Sequence, residues 1–531
     1  MRHLLTPRAI LLASALAIAP AAWAETPADT LVVAHTIDDI ISLDPAQSFE
    51  FSGNDVNQNT YDRLVDFDPM DMEAGFKPSL AESWEVSEDG MSITFRMREG
   101  VKFHSGNPVR AEDAAWSLQR AVQLNLTPAF ILTQFGFTAD NVEDKITFDD
   151  TSLTLHLDKP YAPSFVLNCL TANVASVVDK ETVMANAGDD LGNTWLSNNA
   201  AGSGPYTLTA WRPNEAVQLA AFEEYWQGAP TMKRVIVRNV QESSAQRLLL
   251  EQGDIDVARN LSPTDVDSIA SVEGVKIQDE PRGRILYMGL NQKDPVLSNP
   301  AVIEAMKHLV DYDGIAGSFL KGMFVPHQSF LPSGYLGALD DNPWTYDVEK
   351  AKKLIDDAGM SGKTIVTKVR DLREYTDVAQ ALQASMAQAG LTLEIQQMTG
   401  AQVLDAYRAR EVPVFIGEWG PDYSDPNTNA ATFAFNPDNS DEAKATGLLA
   451  WRNAYAVPQA MNEATLAATL EQDAEKRAQM YIDIQKQYQA EAPIVPLFQR
   501  IEPTGLRENV QNWNSGRSVA SVMYRQVTKG E

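Results

Sequence analysis

Apolar residues along this chain follow two different rhythms. Leu31-Val32-Val33-Ala34 is an unbroken apolar run and predicts a β-strand buried on both faces. From Ser92 to Arg98, Ile93, Phe95 and Met97 alternate with polar neighbours, the period of a half-buried strand. Leu153, Leu155 and Leu157 repeat that alternation from Ser152. Asp89-Gly90 reads as a hairpin turn leading into the Ser92 strand. The 80–200 region is therefore expected to form an α+β lobe.

Beyond about residue 285 helices alternate with strands. Asp347 stands as the N-cap of a helix that places Ala351, Leu354, Ile355 and Ala358 on one face and stops at Gly359. A strand follows over 364–369, then a helix carrying Ala379, Leu382 and Met386 that ends at Gly390. Leu391, Leu393 and Ile395 alternate in the next strand. Strand, helix and strand joined by short links imply a parallel crossover unit. A later helix over 474–490 places Tyr481, Ile484 and Tyr488 together. After Pro493, residues 494–498 read as a strand interrupted by Pro496. Val414-Phe415-Ile416 predicts another strand, followed by the loop Trp419-Gly420-Pro421-Asp422-Tyr423-Ser424-Asp425-Pro426. A carboxylate walled by aromatic rings loses hydration and favours a cation, which suits holding an ammonium group. Asp side chains capping a surface turn explain the same residues, so the loop by itself leaves both readings open.

The beginning of the chain changes the compartment. Arg2 and Arg8, the apolar stretch 9–19 and Ala22-Trp23-Ala24 form the pattern of a secretory signal peptide over 1–24, too short to span a bilayer. The mature chain is expected to be a soluble periplasmic protein with no direct membrane insertion. The whole chain carries a net charge of −29; without Arg2 and Arg8, 41 basic face 72 acidic side chains, a charge of −31. That balance argues against nucleic acid or anionic lipid as a partner. Cys169 is the single cysteine, so no internal disulfide forms and a large core must carry stability.

Catalytic motifs are missing from the sequence. It contains no Gly-x-Ser-x-Gly elbow and no His-Glu-x-x-His. His35, His104, His156, His308 and His327 are scattered without metal-ligand spacing. Ser361-Gly362-Lys363-Thr364 imitates the end of a phosphate-binding loop, but Asp357 stands where the first glycine belongs. Cys169, among Val166, Leu167 and Leu170, reads as an inert core thiol. No enzymatic activity, cofactor or metal is expected.

Separated segments together resemble the extracellular solute-binding proteins of the peptide, opine and nickel uptake family, family 5. They are Ser42-Leu43-Asp44-Pro45, Tyr61-Asp62-Arg63-Leu64-Val65, and Pro78-Ser79-Leu80-Ala81-Glu82-Ser83-Trp84 running on through Val101-Lys102-Phe103-His104-Ser105-Gly106 to Ala111-Glu112-Asp113. Gly202-Ser203-Gly204-Pro205-Tyr206, Tyr225-Trp226, Gly253-Asp254-Ile255-Asp256, Tyr346-Asp347 and Ala492-Pro493-Ile494-Val495-Pro496-Leu497 continue it in order. Most of these read physically as scaffold; Gly202 to Pro205, for example, reads as a tight crossover where glycine permits positive φ. The resemblance implies an α/β, two-lobed periplasmic binding protein fold with a hinge and an extra inserted α+β lobe. Lobe I is expected over 25–62, 201–283 and 500–531, the inserted lobe II over 63–200, and lobe III over 284–499. Ligand would be trapped by hinge closure.

The resemblance also implies site residues. Asp422 matches the aspartate that holds the α-ammonium in peptide-binding relatives, with Trp419, Gly420 and Tyr423 flanking it, while Asp425 matches a turn position behind it. An upstream arginine holds the ligand carboxylate in dipeptide-binding relatives; Arg373 and Arg370 both compete for that role, which the planar guanidinium fork suits. The loop Ser48-Phe49-Glu50-Phe51-Ser52 lies where relatives present first-lobe residues to the ligand. The expected function is capture of short peptides for a membrane permease of an ABC importer, by a monomer. An opine, another amino-acid conjugate, a nickel complex or an oligosaccharide is the alternative ligand, and an exported peptide hydrolase the alternative class.

Overall fold

A computed structural model describes residues 26–68, 71–516 and 522–530. The segment expected to be a signal peptide lies outside the described residues. Among these residues no helix is long and apolar enough to cross a membrane.

A nine-stranded mixed sheet forms the backbone of the molecule. Its order is Val414–Trp419, Val275–Leu290, Ile494–Arg507, Val257–Ala258, Thr30–His35, Arg234–Asn239, Ala216–Ala221 and Tyr206–Arg212, with Phe324–Pro326 also pairing to Ile494–Arg507. The strand Thr30–His35 runs parallel to both of its neighbours at the centre. Leu31 and Val33 enter one core and Val32 and Ala34 another. Burial on both faces is the reason its sequence does not alternate.

Two strands run much further than their sequence signals. Val275–Leu290 and Ile494–Arg507 pair antiparallel along most of their length. Residues 275–281 of the first pair with 501–507, and residues 285–289 pair on both sides, with 494–499 and with Val414–Trp419. Between Pro281 and Ile285 the register breaks, leaving Arg282, Gly283 and Arg284 outside the ladder. The strand read as interrupted at Pro496 is in fact continuous to Arg507. Pro496 is accommodated at a second irregularity between Leu286 and Tyr287, because a bulge tolerates a residue that cannot donate to the ladder. Positions 283/284 and 499/500, expected as lobe boundaries, both fall inside these strands.

A separate four-stranded antiparallel sheet, in the order Ala81–Val86, Ser92–Met97, Ser152–His156 and Ile146–Phe148, builds the inserted lobe. Ile93, Phe95, Leu153 and Leu155 face its core, as their alternation predicts. Gly90 takes φ +69° in the hairpin turn. The crossover unit also forms: Thr364–Arg370 and Thr392–Met398 pair in parallel from Thr364 opposite Thr392, joined by helix Arg373–Gln388. The Asp347 carboxylate accepts the Lys350 N–H at 2.9 Å and caps helix Val348–Asp357.

Gly202 and Gly204 are required for a different reason from the one their sequence suggests. Neither is among the glycines with positive φ. A methyl group at Gly202 would land on the Thr60 carbonyl, and one at Gly204 would come within 2.6 Å of the Thr60 carbonyl carbon. Backbone packs on backbone here, and only glycine leaves room.

Candidate functional site

The inserted lobe and the lobe carrying Val414–Trp419 meet along a hydrogen-bonded seam. Ala162 donates its N–H to the Thr469 carbonyl at 2.8 Å, and the Gln472 amide donates to the Pro160 carbonyl at 2.9 Å. Next to this seam the chain leaves the sheet at Gly420 and turns through Pro421 to Pro426 into helix Asn427–Phe433. That turn carries two carboxylates with opposite surroundings.

Asp425 is fully buried. Arg477, itself buried, grips it with two guanidinium nitrogens at 2.8 and 2.7 Å. Asn168 of the inserted lobe donates to it at 3.2 Å, and the Asn427 N–H donates at 2.9 Å. Every lone-pair direction has a use, so Asp425 is a structural clamp.

Asp422 has no such support. Only its backbone N–H is bonded, to the Thr428 hydroxyl at 3.0 Å; among the described residues its carboxylate has no ion pair or hydrogen bond. Burial alone pushes this carboxyl up to about 7. The group lines a pocket of about 490 Å³ together with Phe49, Asn54, Pro128, Ile131, Asn173 and Tyr423. A desolvated carboxylate without a counter-ion, facing a pocket, is arranged to receive a cation.

On the other side of Gly420 lies a larger chamber of about 1140 Å³ beside the register break. Phe51, Gly283, Arg284, Arg370, Gly420 and Pro421 contribute to its lining. Glu418, nearly buried, organises this wall. It takes two bonds from Arg500 at 2.8 and 2.7 Å, one from the Tyr375 hydroxyl at 3.0 Å, and an ion pair from Arg284 at 3.1 Å. Burial would raise its carboxyl, but Arg284 and Arg500 with these hydrogen bonds bring it down to about 2.

The structure sorts the residues singled out by sequence. Asp422, Phe49 and Tyr423 come together in the smaller pocket, and Gly420, Phe51 and Arg370 in the larger chamber. Arg373 does not join them: its side chain is 88 % exposed at the first turn of its helix and pairs with Asp377 at 3.4 Å. An i,i+4 partner on the solvent face draws it outward. Tyr423 only edges the pocket, because its ring is buried in the core of the inserted lobe, tilted against Phe165 at 6.0 Å. Trp419 is the last residue of the strand rather than part of the loop. It packs on the core below, its buried indole N–H without a partner among the described residues. Glu50 is the N-cap residue of helix Phe51–Thr60 and accepts the Phe49 N–H at 3.2 Å, so it folds back on its own backbone. The segment 48–52 is thus a loop only as far as Glu50. Cys169 is buried and its thiol pushed up by burial, as a core residue. Arg284 and Glu418 carried no signal in sequence, since the pairing that makes them a wall joins two strands 134 positions apart.

A family model for the bacterial extracellular solute-binding proteins, family 5, matches residues 75–441. This chain belongs to that family. The family-5 protein is 29 % identical over 433 residues to a probable D,D-dipeptide-binding periplasmic protein of Escherichia coli strain K12, covering 80 % of this chain and 81 % of that one. It is 28 % identical over 395 residues to the dipeptide-binding protein of the same organism, covering 70 % and 72 %. In fold it is similar to a periplasmic binding protein of Helicobacter pylori solved with the peptide STSA, with TM-score 0.77, 23 % identity and coverage of 94 % and 98 %. The two-lobed architecture with an inserted lobe is therefore that of the family, and the family consists of binding proteins.

Proposed function

We propose that this family-5 protein captures short peptides in the periplasm and delivers them to the permease of an ABC importer. The observation that carries the reading is Asp422, a pocket carboxylate without a partner, which would hold the α-ammonium of the ligand. Relatives that bind dipeptides support the ligand class. Arg370, in the chamber beyond Gly420, is the better candidate for the far carboxylate; Arg373 faces solvent. The register break at 281–285 is the natural hinge, since residues outside the ladder bend without breaking strand-pairing hydrogen bonds. With lobes assigned as 25–62, 201–283 and 500–531, 63–200, and 284–499, each crossing of the long strands passes this point. Export would use the leader at 1–24, and the protein would act as a monomer that releases its ligand unchanged.

Native mass spectrometry of protein purified without unfolding tests this reading. A retained peptide of two or a few residues is expected. A retained opine, nickel complex or oligosaccharide, or turnover of added peptides, would replace it.

Binding should also depend on pH. The empty pocket holds the Asp422 carboxyl at about 7, whereas an ammonium requires the ionised form. Below that value binding must first expel a proton, so the association constant should fall by about one decade per pH unit. Titration calorimetry from about pH 8 to about pH 5 in buffers of different ionisation enthalpy reads both the loss and the proton released. Affinity that is flat across this range would show that Asp422 does not meet the ligand cation.

A further inference from the structure

The hinge-side chamber has four charged groups whose bonding capacity its internal pairs do not use up. Arg259 is engaged with Asp55 and Glu502, Arg282 with Glu502 and the Ser515 and Gly516 carbonyls, and Arg500 with Glu418. Burial, aided by Arg259, lowers His35 to about 3 and keeps it neutral. Arg284, Arg370, Asp38 and Asp39 remain in its lining.

Each of the four retains bonding capacity. Arg284 is held from one edge by Glu418, at Nε, and from one face by Phe51, whose ring centre lies 5.1 Å from the guanidinium carbon. Its two terminal nitrogens have no partner among the described residues, and neither does the guanidinium of Arg370. Asp38 accepts only the Gln241 amide, at 2.8 Å. Asp39 accepts the Ser52 N–H at 3.3 Å through one oxygen, while its other oxygen is buried and without a partner. Neither aspartate is in an ion pair among the described residues.

A lining that carries both signs selects against a ligand end of one sign. An end that is only anionic would meet Asp38 and Asp39, and one that is only cationic would meet Arg284 and Arg370. A C-terminal residue with a basic side chain presents both charges in one piece, and the chamber is large enough for that residue with water around it. We propose that the hinge-side chamber selects peptides ending in a basic residue, with the side-chain cation at Asp38 and Asp39 and the terminal carboxylate between Arg370 and Arg284. The proposal rests on the peptide reading of the Asp422 pocket and names its ligand class.

Calorimetry with Ala-Lys, Ala-Gln and Ala-Glu, against the wild type, the double variant Asp38→Asn with Asp39→Asn, and Arg284→Gln, tests it. The wild type should bind Ala-Lys about tenfold more tightly than Ala-Gln, with Ala-Glu weakest. The double aspartate variant should lose that order, and Arg284→Gln should weaken all three peptides alike. Added salt should narrow the Ala-Lys advantage in the wild type, a readout that needs no variant to fold. Equal binding of Ala-Lys and Ala-Gln, or Ala-Glu as the tightest ligand, would overturn the proposal and leave the peptide reading intact. Binding of none of the three would overturn both.

Discussion

Asp422→Asn should weaken binding of peptides with a free α-amine by about a hundredfold or more, because a desolvated ammonium then lacks its counter-charge, a loss of about 2–5 kcal/mol. Folding should not suffer. The carboxylate makes no ion pair or side-chain hydrogen bond among the described residues, so the substitution removes no internal contact. It should even help the empty protein at neutral pH. The folded-state carboxyl lies at about 7, above its ordinary value of 3.8. Native protein therefore binds that proton more tightly than the unfolded chain does. Stability is fully present at acid pH and declines as pH rises through this window. An asparagine has no proton to lose and should flatten the decline. Titration of one amine-bearing dipeptide and of its N-acetyl form reads the binding change, and melting curves at acid and neutral pH read the stability. An unchanged dissociation constant would remove Asp422 from the site.

Asp425→Ala should give the reverse pattern. Arg477 would be left charged, buried and without its two-point partner, which costs about 3–5 kcal/mol of folding free energy. Asn168 would also lose its acceptor across the seam with the inserted lobe. Denaturant unfolding should show the loss directly. Replacing Asp425 and Arg477 together by leucine and methionine should recover much of it, because no buried charge then remains. If the single alanine variant unfolds like the wild type, the clamp carries no stability. Two aspartates three positions apart thus separate into one that lines a pocket without a partner and one that is clamped by Arg477.

Much of the scaffold was legible in the linear sequence because its causes are local. The unbroken Leu31–Ala34 run, the alternation in Ser92–Met97 and the Asp347 cap depend on neighbours within a few residues, and each appears where its pattern placed it. The residue-by-residue resemblance likewise pointed to the family through many weak segments in order. Other features were not legible because their causes are distant. The length of Ile494–Arg507 is set by a partner strand more than two hundred residues earlier, and nothing near Pro496 announces it. Gly202 looked like a turn glycine, whereas the real constraint is the Thr60 backbone packed against it.

The pair Asp422 and Asp425 shows the division most clearly. Sequence alone determined that two carboxylates leave the end of a strand in one short, proline-bounded loop, within the framework of a family-5 binding protein. Which of the two is free was decided only by the fold. Arg477, 52 positions further on, reaches one carboxylate and leaves the other facing a pocket. The same holds for the arginines: Arg370 and Arg373 are equivalent in composition, yet helix phase turns one to solvent and the strand end leaves the other at the chamber. Charge identity belongs to the chain, but desolvation and pairing belong to the packed molecule, and these determine what a charge can bind.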